Sequence, residues 1–311
     1  MPPDLPDLMY QRAQRVLQSL VPHQRGAILL EMDPTLLRSI SYRPGRRRGV
    51  TLGEMGAPAR KASFQLLSEA VSPHTFAQMT TIMGYEEVLD RNADWTKAQH
   101  SGDYYLTFFG ELAPTSLWAW RLEGHHLSIT VCVSPLGVSA TPLFLGANPD
   151  CIRHARRTVL RPLGSEGELA LALMGAMKAS ERARAIVSEV PPHDVQYFDR
   201  CPSLERYVRA KELSSAARTM LSELVMVYID RFCTSLRSEF AELATRPNLG
   251  FAWWGGTEVG QAHVYCVFIG DELVVEYGNN YHGQAVANHS HTFVRSPRRD
   301  FGAALRSRRT T

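Results

Sequence analysis

Apolar residues recur at helical spacing over the first hundred positions, then change to the alternation of strands near Asp103. Leu8 to Leu20 reads as a short helix that stops before Pro22. Pro58 to Val71 carries Phe64, Leu67 and Val71 on one face, and Pro73 to Leu89 carries Phe76, Met79, Met83 and Val88. Both segments read as helices, with methionine as core filler. Arg43 to Gly49 is a turn-rich basic loop. Past Asp103, the aromatic and β-branched runs Tyr104–Phe109, Leu117–Arg121 and Leu127–Val133 predict strands, with Gly124-His125 as a tight hairpin turn and a further strand at Pro142–Leu145.

Two longer helices come next in the pattern. One spans Glu166 to Val190 and is stopped by Pro191-Pro192; the other spans Leu213 to Phe240, with Ala217, Met220, Leu224 and Tyr228 along one face. The strand theme then returns. Phe251-Ala252-Trp253-Trp254-Gly255 is aromatic, His263–Ile269 and Leu273–Tyr277 form a hairpin around Gly270-Asp271, and a last strand covers His289–Arg295. The fold class read from this pattern is α+β, helices packed on antiparallel sheet. Each hairpin comes after a helix and an aromatic strand, so a duplicated helix-plus-hairpin unit is one reading of the order. The change of period sets a helical part, 1–102, against an α+β part, 103–311, within one compact domain.

Composition narrows the partners. At 311 residues, 44% hydrophobic and 21% charged, the chain can bury a sizeable core. A net charge of +3 is too weak for the basic stripe of a nucleic-acid binder, so no nucleic-acid partner is expected. The five cysteines contain no Cys-x-x-Cys pair, which argues against a disulfide scaffold and a thiolate zinc site. Reduced thiols, an acidic proline-rich start and the lack of a membrane-length apolar run point to a cytoplasmic protein with no membrane partner. Phosphate-loop, dinucleotide, His-Glu-x-x-His and Gly-x-Ser-x-Gly motifs are missing, which disfavours the chemistries they serve.

Histidine carries the candidate chemistry. It falls in two clusters, Gly124-His125-His126-Leu127-Ser128 and Asn288-His289-Ser290-His291-Thr292. On a strand, side chains two apart share a face, so His289 and His291 can converge on one point, together with Phe293 and Arg295. Imidazole is the commonest ligand for transition metals and the side chain best placed to move protons near neutral pH. A third ligand is sought in His126 or in Glu276 of the preceding strand. As strand neighbours His125 and His126 are expected to point oppositely, His126 on the side of Ser128 and Thr130, and His125 with Leu127 and Ile129 or in the turn itself. Arg121 and Arg295 each come after apolar strand residues and are candidates to fork a substrate anion, or to pair internally with Glu123, Glu276 or Asp300. Arg46-Arg47-Arg48 reads as a solvated loop, with anion binding as its alternative. The tryptophans Trp118, Trp120, Trp253 and Trp254 fill a core or line a pocket. The lone His263 and His282 are expected to be exposed or satisfied.

Several stretches together resemble an uncharacterised family, domain of unknown function 3500. They are Arg48-Gly49-Val50-Thr51-Leu52, the run Trp118-Ala119-Trp120-Arg121-Leu122-Glu123 into Gly124-His125-His126-Leu127-Ser128, and Thr141 to Pro149; then Phe251-Ala252-Trp253, Glu276-Tyr277, Asn288-His289-Ser290-His291 with Arg295, and Asp300-Phe301-Gly302. The resemblance spans nearly the whole chain and implies that both histidine clusters belong to the family pattern. The chain departs from that pattern at Gly278, where the family has an acidic residue after Glu-Tyr, and in the loop Asn279 to Gln284.

The reading reached from the sequence is a mononuclear metalloenzyme holding one transition-metal ion (iron, copper or zinc) through His289, His291 and a third ligand, His126 or Glu276. Its substrate would be a small anionic molecule oriented by Arg295 or Arg121, with oxidation favoured over hydrolysis. The alternatives are a metal-free lyase or hydrolase using His125 or His126 as general base, and a ligand-binding protein without turnover. Oligomeric state is left open.

Overall fold

The computed structural model describes residues 3–196, 204, 206–257, 263–270, 272–280 and 287–306. Cys201, His282 and most of the Asn279–Gln284 loop lie outside them. The α+β class holds: helices alternate with mostly antiparallel strands. Contacts divide the chain into two compact units, residues 1–144 with 232–236 and 298–311, and residues 145–231 with 237–297. The change of period near Asp103 does not separate the units, because Leu29–Leu30 and Val50–Thr51 before it pair with Tyr105–Phe109 after it.

In the first unit, α1 (Leu5–Ser19) starts where Asp4 accepts the Asp7 N–H at 3.0 Å and buries Met9, Ala13 and Val16 one turn apart. Next come α2 (Pro22–Ile28), β1 (Leu29–Leu30), α3 (Pro34–Arg38) and β2 (Val50–Thr51). Then come α4 (Ala57–Ala70) and α5 (Pro73–Asn92). The strands β3 (Tyr105–Phe109), β4 (Trp118–Gly124), β5 (Leu127–Ser134) and β6 (Gly137–Ser139) form an antiparallel run. Leu37, Phe109, Ala119 and Cys132 make a small core that Phe301 and Leu305 cover. Strand β7 (Leu143–Ala147) leads on into the second unit's residues.

The second unit begins with an exposed two-stranded ribbon, β8 (Ile152–His154) and β9 (Arg157–Leu160). The two long helices expected over Glu166–Val190 and Leu213–Phe240 are each broken. The first becomes α6 (Gly164–Ala176), α7 (Ala179–Ala185) and β10 (Ile186–Ser188). At the break, the Lys178 N–H is taken by Glu181 Oε2 at 2.8 Å, a new helix start that an alanine-rich sequence conceals. After β11 (Val208–Arg209), the second becomes α8 (Ser215–Ile229) and α9 (Thr234–Phe240). The antiparallel strands β12 (Gly250–Gly255), β13 (Val264–Ile269), β14 (Val274–Gly278) and β15 (Ser290–Arg295) complete the unit. The short helix α10 (Ala303–Arg306) belongs to the first unit.

The two units share a series of elements in the same order. Helix α2 runs straight into β1, which pairs parallel with β3; α7 runs straight into β10, which pairs parallel with β12. The same edges then receive β2 and β11, both antiparallel. After β2 the Thr51 N–H donates to Glu54 Oε2 at 2.9 Å, and after β11 the Arg209 N–H donates to Glu212 Oε2 at 2.8 Å. Each aromatic strand ends on a glycine with positive φ, Gly110 at 82° and Gly255 at 91°. Shared turns, caps and pairing senses of this kind mark a duplicated unit, larger than the helix-plus-hairpin of the sequence pattern.

Trp118, Trp120 and Trp253 are fully buried core residues, and Trp254 stacks edge-on against Tyr265 with ring centroids 5.1 Å apart. The four described cysteines are all free thiols. Burial pushes the Cys266 thiol far up, which leaves it inert. No helix among the described residues is long and apolar enough to cross a membrane.

Candidate metal centre

In the second unit, His289 sits at the entry to β15, bridged to Asn280, and His291 lies opposite Gly278 of β14. Strand alternation puts both imidazoles on one face, and both are 3% exposed. Their Nε2 atoms are 3.1 Å apart, with the rings nearly perpendicular at 89°. Two nitrogens bound to one metal at about 2.0–2.1 Å, with angles between square and tetrahedral, stand about 2.9–3.4 Å apart. The observed separation falls inside that range.

The other nitrogen of His291 is also accounted for. Its Nδ1 lies 2.6 Å from Asp194 Oδ1. A carboxylate there fixes the proton on Nδ1, so Nε2 presents its lone pair toward His289, as metal-ligating histidines require. Asp194 comes from the segment just after Pro191-Pro192, and the sheet ties that segment down on both sides. The Asn280 amide donates to the Pro191 carbonyl at 3.0 Å, and the Gln196 N–H donates to Glu276 Oε2 at 2.6 Å.

Glu276 therefore has a different occupation from the metal ligation that its strand position suggests. It lies opposite Phe293, on the histidine face, but its carboxylate takes the Gln196 N–H and the Tyr265 hydroxyl. It belongs to no cluster of three metal-capable groups among the described residues. Arg295 ends the same strand on the same face, 7% exposed. On the opposite face, the Ser290 hydroxyl donates to Asp150 Oδ1 at 2.5 Å, and the Asn288 amide oxygen receives the Cys151 N–H at 2.9 Å. These bonds fix the strand that presents the histidines.

The first unit holds the other cluster. His125 and His126 form the turn between β4 and β5, where Gly124 pairs with Leu127. His126 has φ of 63°, and its N–H donates to the Tyr42 carbonyl at 3.0 Å. Of the two placements expected for His125 the turn is the one observed, and because His126 shares it the two rings do not point oppositely. They stack, centroids 3.8 Å apart and 26° between planes. His125 Nδ1 lies 2.8 Å from Glu86 Oε1, and the Tyr104 hydroxyl donates to the His125 carbonyl at 2.8 Å. Glu86, His125 and His126 form a cluster of metal-capable groups. Stacked rings direct their in-plane lone pairs side by side, however, so the cluster suits a hydrogen-bonded pair better than a shared ion.

Arg121 does not face a ligand. Its Nε donates to Thr130 Oγ1 at 2.9 Å, and its terminal nitrogens donate to the Leu36, Leu37 and Ser39 carbonyls at the end of α3, with Phe109 beneath the guanidinium. Burial draws its pKa down against the nearby Glu123 carboxylate. This arginine is a helix cap, and all of its nitrogens are engaged. His263 is satisfied on the Asn279 carbonyl at 3.4 Å.

Two residues were not picked out from the sequence. Glu86 was visible in principle: it shares the buried stripe of α5 with Met79, Ile82 and Met83, where a carboxylate requires a partner. Asp194 had no such signal, since nothing periodic surrounds it.

No curated protein and no solved structure matches the chain. A family model does match, over residues 6–303, nearly the whole chain. The chain thus belongs to the family described as protein of unknown function (DUF3500).

Proposed function

We propose that this protein is a metal-dependent enzyme that holds one transition-metal ion on His289 and His291 and acts on a small anionic substrate. The observation that carries the reading is the 3.1 Å approach of two buried Nε2 atoms, one of them on a ring whose Nδ1 is held by Asp194. Two imidazoles suit iron, copper or zinc and leave coordination positions for substrate and oxygen or water. When bound, such an ion supplies Lewis acidity or one-electron chemistry. Asp194 keeps the His291 tautomer, and the segment Pro191–Gln196 contributes the cover that keeps bulk water from the ligands.

Oxidation is favoured over hydrolysis. Hydrolysis wants a free carboxylate or imidazole base, and both nearby carboxylates are engaged, Glu276 by Tyr265 and Gln196 and Asp194 by His291. Arg295 lies on the same face of the strand and is the group proposed to orient the anion of the small substrate. Oxygen uptake by metal-loaded protein over a panel of small organic acids tests this. Substrate-dependent uptake that stops on chelation and returns with metal supports the reading; turnover untouched by strong chelators contradicts it.

A second reading, acid–base chemistry without metal, is favoured by the Glu86–His125 pair. Chelator-resistant turnover that is lost in His125→Ala would be its signature.

A further inference from the structure

The basic loop and the histidine turn of the first unit meet at one cavity of about 170 Å³, lined among others by Arg46, Arg47, Glu86, His100, Tyr105 and His125. Three observations define what it can hold. The first is the locked imidazole. With Glu86 on Nδ1, that nitrogen carries the proton, and His125 Nε2 is left as a hydrogen-bond acceptor.

The second is the balance of charge around the cavity. Glu86 is occupied by His125, and Asp103 Oδ2 takes the His100 N–H at 2.9 Å. Glu54, which feels the Arg46 charge, is held by the Thr51 N–H and hydroxyl, both at 2.9 Å. Arg47 is turned inward onto the carbonyls of Ser41, Arg43 and Gly45. Arg46 is exposed and lines the cavity.

The third comes from the duplication. In the second unit the corresponding hairpin, β13 to β14, closes with the Gly270 N–H on the Leu273 carbonyl at 2.7 Å and has no histidine between the strands' described ends. A turn of this kind folds without paired imidazoles and a buried carboxylate beneath them, so the fold alone does not account for them.

We infer that this cavity binds a small oxyanion bearing a hydroxyl group, with Arg46 meeting the negative charge and His125 Nε2 accepting from the hydroxyl. A 2-hydroxy acid and monohydrogen phosphate share that chemistry. None of the proposed metal ligands takes part, and the ligand binds whether or not the protein carries metal.

Isothermal titration of the full chain with glycolate, acetate and inorganic phosphate, each alone, tests the site. Glycolate binds about tenfold more tightly than acetate, the worth of one hydrogen bond to a buried acceptor. Phosphate binding more tightly than glycolate assigns the site to phosphate, and the reverse assigns it to hydroxy acids. Arg46→Gln, an exposed change that spares the fold, weakens the preferred anion about tenfold. His125→Ala abolishes the preference for glycolate over acetate. Metal content stays at the wild-type level in both variants, which separates this site from the metal reading. Absence of binding by glycolate and phosphate at millimolar concentration, or unchanged affinity in Arg46→Gln, overturns the inference.

Discussion

Asp194 Oδ1 stands 2.6 Å from His291 Nδ1, on the side of the ring away from His289. The contact fixes which nitrogen carries the proton, and so which one can bind a metal. Replacing the carboxylate by an amide removes its charge and allows the ring to flip. Asp194→Asn therefore weakens metal binding by about 10- to 100-fold, read by competition with a chromogenic chelator. Equal affinity in the variant and the wild type would show that the contact is only structural.

Arg121 is a structural test of the opposite kind. Its guanidinium satisfies the carbonyls at the end of α3 and lies over Phe109. Arg121→Ala removes the donors to the Leu37 and Ser39 carbonyls and the packing over Phe109, a loss of about 3 kcal/mol in urea unfolding. Arg121→Lys recovers only part of it, since an ammonium cannot reproduce the fork. Metal content per folded chain does not change in either variant.

The repeated glycines differ in their surroundings. Both have positive φ, so alanine costs at least about 1 kcal/mol at each. At Gly255 a Cβ would also stand 2.0 Å from the His263 carbonyl oxygen, whereas at Gly110 its nearest neighbour is the flexible end of Met32 at 3.2 Å. Gly255→Ala should be the more damaging of the two by urea denaturation, and an equal loss would contradict the geometry.

Acid stability depends in part on Glu54. Hydrogen bonds from the Thr51 backbone and hydroxyl hold its carboxyl below the ordinary range. A carboxyl lowered in the folded state stabilises the fold above its unfolded pKa, near about 4.3, and loses that contribution as pH falls through the lowered value. Unfolding free energy of the wild type therefore falls more steeply below about pH 4.5 than that of Glu54→Gln. Parallel acid limbs would rule the contribution out.

Much of the architecture could be read from period and aromatic spacing. The strands Tyr105–Phe109 and Gly250–Gly255, the two hairpins and the α+β class come from local alternation. What escaped were elements defined by distant partners: β1, β2 and β11 have two residues each and exist only because β3 and β12 offer an edge. The full extent of the duplication was hidden for the same reason. At the site, the same-face placement of His289 and His291 results from a two-residue period, which any strand imposes. The stacking of His125 on His126 depends on turn backbone, which the same period misreads. Asp194 depends on where a loop is tied down, information carried by Asn280 and Glu276 far along the chain.

The proposed chemistry requires that the two Nε2 atoms of His289 and His291 share a metal. The same 3.1 Å would also suit an N–H···N hydrogen bond between the rings, so composition has to decide. Elemental analysis by plasma mass spectrometry, on protein purified without a histidine tag, is the direct measurement. About one iron, copper or zinc ion per chain is expected in the wild type and a near-complete loss in His289→Ala and His291→Ala, with both variants folded by circular dichroism. Wild-type protein that stays metal-free after exposure to each ion, or variants that retain the wild-type content, would contradict it.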